Sequence, residues 1–378
     1  MRPDAGHSDS ADLGARLATL TGLERIREAA GETPAYLVGG AVRDLLLGRE
    51  DRADIDVVVE GDVAAIAAAL GGAARSHERF GTATVRVGDL VADLAAARAE
   101  SYAHPGALPD VRAAALADDL ARRDFTVNAM AIPLAGEARL IDPHGGAGDL
   151  EIRSLRVLHE CSFADDPTRA LRAARYAARL GFALEPETER LVRATDLETV
   201  SADRRDAELA KLAAEPAARW GFELLEGWGL FLLDERAGEL IDGVIAVLEK
   251  PAWTDVAERP AAVLAVARGE LGDATALATR RPERPSEGVA AASAASGVEL
   301  VTARALGAAW LDDYVTDWRH VGLEISGEDL LAAGVPSSPA LGRGLEAALA
   351  LKLDGEIAGR EAELRAALDA AREGPGAT

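Results

Sequence analysis

Four stretches of this chain carry side chains whose types and spacing could do chemistry. The first joins Leu37-Val38-Gly39-Gly40-Ala41-Val42-Arg43-Asp44 to Asp54-Ile55-Asp56-Val57-Val58-Val59. The run AYLV predicts a strand that passes through Gly39-Gly40 into a helix closed by Gly48. Glycines there let a backbone approach phosphate oxygens, and a helix N-terminus adds donors and a favourable dipole. On the Asp-x-Asp strand, residues two apart project from one face about 6.6 Å apart, so both carboxylates can converge on divalent cations. Hard oxygen ligands of this kind suit Mg²⁺ bound to substrate phosphates. The second stretch, Val91-Ala92-Asp93-Leu94, returns to the sheet. Asp93 is either the third carboxylate that two-metal phosphoryl transfer commonly needs, or a lone exposed Asp at a strand end.

The third stretch is Asp119-Leu120-Ala121-Arg122-Arg123-Asp124-Phe125-Thr126-Val127-Asn128-Ala129-Met130-Ala131. Arg123, Asp124 and Asn128 offer donors for a triphosphate and partners for ribose hydroxyls, while a salt-bridged helix end is the structural alternative. The fourth runs from Asp165-Asp166-Pro167-Thr168-Arg169 through Arg172 and Arg175 to Arg179. Asp166 fits an N-cap and Pro167 the first helical position, which places Arg169, Arg172 and Arg175 along one ridge. That ridge is a solvated basic face or a base-reading edge. In the second case Asp accepts from an exocyclic amine while Arg donates to the adjacent ring acceptor, a pattern shared by cytosine and adenine. Taken singly, Gly-Gly reads as a turn and Asp-x-Asp as a solvated edge strand; their combined order is far more specific.

Short apolar runs with turn signals must position these groups. AYLV, DIDVVVEGD, ATVRV, LVADLA and FTVNAMAI alternate with helix-like stretches such as Val63–Leu70, so residues 35–150 predict an α/β or α+β domain. A polar leader and one short helix, Leu13 to Ala30, precede them. After Asp149 the β signals fade, and from Asp166 the Ala-, Leu-, Arg- and Glu-rich chain predicts helices cut at Pro and Gly. Ala274–Gly297, rich in Ala, Ser, Arg and Pro, predicts a loose linker. The 378 residues suffice for two or three domains, and 49% hydrophobic with 28% charged residues excludes bulk disorder. A single cysteine, Cys161, excludes a disulfide framework or a multi-cysteine metal site. No apolar run approaches the ~20 residues of a membrane span, and no signal core opens the chain, so the cytoplasm is the expected compartment. The net charge of −23 advertises no sequence-independent grip on phosphates, which leaves any nucleic-acid contact to local arginine clusters.

In this order the four stretches resemble the class II tRNA nucleotidyltransferases, the family of the bacterial CCA-adding enzyme and poly(A) polymerase. LVGGAVRDLLLG and DIDVVVEGD match its metal motif, RRDFTVNAMAI its ribose-selecting motif, and DDPTRALRAARYAARLGF its amino-acid template. That template usually opens Glu-Asp; Asp165 stands in place of the Glu, while Asp166 and Arg169, which carry the pairing role, are kept. Glu324–Gly355 resembles the family's tail, with Ser338 where Gly is commoner. No His-Asp dipeptide occurs, so the phosphohydrolase domain of some relatives is expected to be absent.

The resemblance implies an α+β fold: a polymerase-beta-like nucleotidyltransferase head with a mixed sheet, then an all-α neck, body and tail. The expected divisions are a leader (1–34), a catalytic head (35–155), a neck with the nucleobase template (156–225), and a tRNA-binding body and tail (226–378). It implies CMP and/or AMP addition to a tRNA 3′ end from CTP and ATP, with Mg²⁺ held by Asp54 and Asp56 and with Asp93 as a further catalytic carboxylate. Gly39, Gly40 and Arg43 would meet the triphosphate, Arg123 the phosphates, and Asp124 and Asn128 the nucleotide. Asp166 and Arg169 would select the base, and Arg172 and Arg175 would complete the pocket. A-adding, CC-adding and poly(A)-adding enzymes share these motifs; a non-catalytic RNA-binding relative would not need two carboxylates near RNA phosphates. Oligomeric state is not legible.

Overall fold

The computed structural model describes residues 10–372 apart from 21, 50–54, 72–74, 78–80 and 88–89. The chain forms two units, Met1–Phe231 and Leu232–Thr378, each with its own core. The expected neck–body division at 225/226 falls six residues before the boundary between these units.

The first unit opens with α1 (Ser10–Ala18) and α2 (Leu23–Ala30). They replace the single helix expected over Leu13–Ala30, because Gly22 takes φ 97° between them. The sheet elements follow: β1 (Ala35–Val38), α3 (Gly40–Leu46), β2 (Ile55–Val59), α4 (Val63–Leu70), β3 (Arg75–His77), β4 (Thr82–Val87) and β5 (Leu90–Ala96). The hairpin β6 (Arg98–Ser101) and β7 (Asp110–Ala113) leads to α5 (Leu116–Ala121) and β8 (Ala131–Pro133). Six strands make one mixed sheet in the order β3-β4-β5-β2-β1-β8. Within this sheet, among the described residues, only the β2–β5 pairing is parallel, and it sets Asp56 beside Asp93.

Side-chain alternation divides the sheet into two faces. Ile55, Val57 and Val59 are fully buried, on the face where α3 and α4 pack. Val38 and Val58 point the other way and pack under Leu116 and Leu120 of α5. Asp56 shares that second face with Val58 but is exposed. The face that carries chemistry is therefore covered at one end and open at the other. FTVNAMAI is strand only from Ala131; Thr126–Asn128 instead forms a 3-10 turn.

Helices dominate the rest of this unit: α6 (Gly146–Glu151), α7 (Ser162–Asp165), α8 (Thr168–Leu180), α9 (Pro186–Val192), α10 (Ala202–Ala213) and α11 (Ala218–Gly227). Here β structure persists past Asp149, since β9 (Ser154–Leu155) and β10 (Ala183–Leu184) form a small parallel pair. Pro167 sits at φ −60°, already helical, ahead of α8, and Asp166 caps it by accepting the Thr168 N–H at 3.1 Å.

Among its described residues the second unit has helices and no strands: α12 (Ala237–Leu248), α13 (Arg259–Ala267), α14 (Ala274–Thr279), α15 (Pro285–Ala292), α16 (Gly297–Ala305), α17 (Leu311–Thr316), α18 (Gly327–Ala332), α19 (Pro339–Leu353) and α20 (Arg360–Arg372). The expected linker Ala274–Gly297 is mostly α14 and α15. Alanine is the strongest helix former, and Pro285 starts α15 rather than breaking it. In the tail-like segment Ser338 caps α19 by accepting the Ala340 N–H at 3.3 Å, a role glycine could not fill with a side chain.

Candidate functional site

The open end of the sheet becomes the floor of a cleft of about 610 Å³ walled by α8 and the β6–β7 hairpin. Asp56 and Asp93 stand on this floor on neighbouring, in-register strands, and Thr84 on β4 donates to Asp93 Oδ1 at 2.6 Å. Asp54 lies outside the described residues. Among the described residues no group of three or more His, Cys, Asp or Glu side chains gathers as a metal site. Asp56 and Asp93 nevertheless supply hard oxygens in adjacent register, which suits a divalent cation carrying phosphate.

Gly39 makes the turn above that floor, at φ 66° and ψ −134°. A Cβ there would stand 2.6 Å from Arg123 Nη1 and 3.5 Å from Asp56 Oδ2, so close approach as well as conformation requires glycine. Arg123 is held over this turn from behind. Asp119, fully buried, receives Arg122 on Oδ1 at 2.6 Å and Arg123 on Oδ2 at 3.0 Å. Arg123 Nη1 also donates to the Asn128 carbonyl at 3.3 Å. One buried carboxylate thus orients two guanidinium groups, and Gly39, Gly40 and Arg123 all line the cleft.

Asp124 is buried and joins the opposite wall. Its Oδ1 accepts from the Asn128 amide at 2.9 Å, and its Oδ2 faces Arg172 Nη2 at 2.6 Å. Burial pushes this carboxyl up, but Arg172, the Asn128 amide and Arg169 outweigh burial and hold it below the usual carboxylate range. Burial alone would lower the Arg172 guanidinium, yet Asp124, Tyr176 and Glu208 raise it above the ordinary value. Arg169, Arg172 and Arg175 of α8 are therefore not a solvated basic face. Arg169, 4% exposed, donates to Ser162 Oγ at 2.7 Å and to the Arg122 carbonyl at 2.6 Å. Asp124, Asn128, Asp166, Arg169 and Arg172 all reach the cleft.

Two expected contacts lie elsewhere. Arg43 does not line the cleft. It is 2% exposed, forks onto Asp44 with two 2.9 Å bonds, and donates to Asn128 Oδ1 at 2.7 Å. Arg175 is also behind the wall, its guanidinium carbon 4.5 Å from the Tyr176 ring centre and 3.9 Å from the carboxylates of Glu208 and Glu215. Both arginines brace Tyr176, which does face the cleft.

Sequence reasoning missed Arg98, Glu100, Tyr102 and Tyr176 in the lining. Tyr102 donates to Glu100 at 2.9 Å, and burial followed by the Glu100 charge pushes its phenol up to about 12. Arg98, Glu100 and Tyr102 lie in ARAESY, charged and aromatic residues just after a strand that bears Asp93, and Tyr176 lies inside the quoted stretch DDPTRALRAARYAARLGF.

A mixed sheet with paired carboxylates, a glycine turn under a fixed arginine, and a facing Asp/Arg edge defines a nucleotide-handling head. Residues 35–156 match the Poly A polymerase head domain. The chain is 37% identical over 369 residues to the CC-adding tRNA nucleotidyltransferase of Deinococcus radiodurans, covering 91% of this chain and 92% of that protein. It is 46% identical over 204 residues to the A-adding tRNA nucleotidyltransferase of Halalkalibacterium halodurans, across 50% of this chain and 48% of that protein. A CCA-adding enzyme solved in complex with ATP superposes with a TM-score of 0.76 at 28% identity, covering 94% of this chain and 97% of that one. The chain belongs to the tRNA nucleotidyltransferase family. It spans about half or less of the length of the first A-adding relatives. Members of this family work with divalent metal ions. Among the described residues, no helix is long and apolar enough to cross a membrane.

Proposed function

We propose that this protein adds CMP and/or AMP to the 3′ end of tRNA, taking CTP and ATP as substrates and reading the incoming base with its own side chains. The observation that carries the reading is the cleft itself: Asp56 and Asp93 on its floor, Gly39 and Arg123 beside them, and Asp166 with Arg169 on its wall. Arg123, fixed by Asp119, binds the triphosphate near the Gly39 turn. Asp166 accepts from an exocyclic amine and Arg169 donates to the neighbouring ring nitrogen, so cytosine and adenine both satisfy the edge. Uracil and guanine present a carbonyl and a ring N–H there and leave both side chains mismatched. Asp54, Asp56 and Asp93 are the groups proposed to hold Mg²⁺, which when bound neutralises phosphate charge and lowers the pKa of the attacking hydroxyl. A tRNA-processing role carries a cytoplasmic location with it.

Relatives carry A-adding and CC-adding as well as CCA-adding names, so partial addition is the second reading. Labelled CTP and ATP offered with tRNA ends lacking CCA, CA or only A separate them. Full CCA synthesis extends all three ends to completion; an A-adding enzyme extends only the last, and a CC-adding enzyme stops before A. Failure to extend any of the three would refute the proposal.

A further inference from the structure

We infer that Arg204 is a specificity-determining positioning residue, which fixes which oxygen of Asp166 is turned to the incoming base and ties that oxygen to the β6–β7 loop. The inference rests on the proposed base-reading role of Asp166. Arg204 stands on α10, which packs along the template helix α8. Its Nη2 donates to Asp166 Oδ1 at 3.0 Å and its Nη1 to the Gly106 carbonyl at 3.0 Å.

Three donors meet on that one carboxylate oxygen. Thr168 contributes its N–H at 3.1 Å and its hydroxyl at 2.6 Å, and Arg204 contributes the third. Saturating Oδ1 stops the carboxylate from rotating and leaves Oδ2 as the acceptor presented to the cleft, which Asp166 lines. The Thr168 contacts are local to the helix start and would cap α8 in any nucleotide-free helix. The Arg204 contact is not local: it crosses 38 residues, and its other arm crosses 98.

That second arm reaches a loop with little freedom of its own. The Gly106 N–H donates to the Ala164 carbonyl at 3.3 Å, and a Cβ on Gly106 would stand 2.5 Å from the Thr199 carbonyl oxygen. The same loop carries Tyr102 and Pro109 into the cleft. One guanidinium therefore sets the Asp166 carboxylate and the neighbouring cleft wall in a common register. A planar fork with two separated arms can do this, and the single point charge of a lysine cannot.

The test compares Arg204→Ala, Arg204→Lys and Asp166→Ala with the wild-type protein. kcat and KM are measured for all four nucleotides, and circular dichroism and thermal unfolding check folding. Without Arg204 the Asp166 carboxylate is free to rotate, and Oδ2 is no longer held as the acceptor that favours an exocyclic amine over a carbonyl. The expected result is that Arg204→Ala lowers the preference for CTP and ATP over UTP and GTP by about tenfold or more, the scale of one lost hydrogen bond to a charged group. The loss should appear chiefly in KM, and Arg204→Lys, which keeps the charge but not the fork, should recover less than half of it on a logarithmic scale. Nucleotide binding measured by calorimetry, CTP against UTP, reads the same ratio should Arg204→Ala turn over too slowly. A uniform loss with all four nucleotides, ratio unchanged, would reduce Arg204 to a structural brace and overturn the inference. If wild type is selective, Asp166→Ala is relaxed and Arg204→Ala is as selective as wild type, the inference alone fails. If wild type shows no preference for CTP and ATP, the base-reading assignment fails first.

Discussion

Gly39→Ala tests whether the glycine turn and Arg123 form one phosphate-binding unit. At φ 66° and ψ −134° an L-residue is strained by about 1–3 kcal/mol. The added Cβ would also lie 2.6 Å from Arg123 Nη1, so that group must move. Arg123 cannot swing aside without cost, because it donates to buried Asp119 at 3.0 and 3.3 Å and to the Asn128 carbonyl at 3.3 Å. Losing one such charged bond adds about 1.5–3 kcal/mol. Together these give a destabilisation of about 2.5–6 kcal/mol. Gly48→Ala is the control: Gly48 has φ 67° but, among the described residues, no atom within 4 Å of the point where a Cβ would stand, so only backbone strain of about 1–2 kcal/mol applies. Urea unfolding measures both variants, and steady-state kinetics with CTP measures displacement of Arg123 as a rise in KM. If Gly39→Ala is no less stable than Gly48→Ala and binds CTP like wild type, Arg123 is not held against the turn and the reasoning fails.

Four further outcomes follow from the same geometry. Asp56→Ala should abolish nucleotide addition while leaving thermal unfolding within about 1 kcal/mol of wild type, since the side chain is exposed; wild-type turnover in this variant would remove Asp56 from the metal site. Arg43→Ala should destabilise by about 3–5 kcal/mol, as expected when one partner of a buried charged network is removed, with stability affected more than CTP KM; a pure KM defect measured in urea and kinetic assays would restore Arg43 to the triphosphate. Because the Asp124 carboxyl is held below its ordinary 3.8 when folded, its contribution is present above that pH and lost as pH falls through the lower folded value; the stability gap between wild type and Asp124→Asn should therefore narrow in acid titrations. Binding of tRNA, measured by filter retention, should weaken steeply with added salt, given phosphate contacts made by local arginines on a chain of net charge −23; an affinity independent of salt would contradict it.

The elements around the glycine turn were legible because their causes are local. AYLV needs a strand, Gly39 a conformation other residues resist, and Asp56 a place on the next strand, and all three lie within 25 residues. Gly22 broke the expected Leu13–Ala30 helix through a single positive φ that helical periodicity does not register. Ala274–Gly297 misled in the opposite direction: its Ser, Arg and Pro content suggested a linker, but Ala content and a proline at the first helical position built two helices. Composition averages over positions, while helix formation depends on where each residue falls.

The site was legible as a set of residue types but not as a set of roles, because roles depend on pairings across long separations. Arg43 was expected at the triphosphate because the family resemblance implied it; its guanidinium meets Asn128, 85 residues on. Asp119 carried no role in the sequence, yet it aims Arg122 and Arg123 together. The acidity that argued against phosphate binding acts here in a second way. Asp119, Asp124 and Asp166 each take an arginine at the cleft, so part of the negative charge orients cations rather than repelling a polyanion. This requires forked, fixed guanidinium groups, and only three of the 41 basic residues are lysines. A net charge sums over such pairs and cancels them; the field at the cleft is set by which member of each pair faces the substrate.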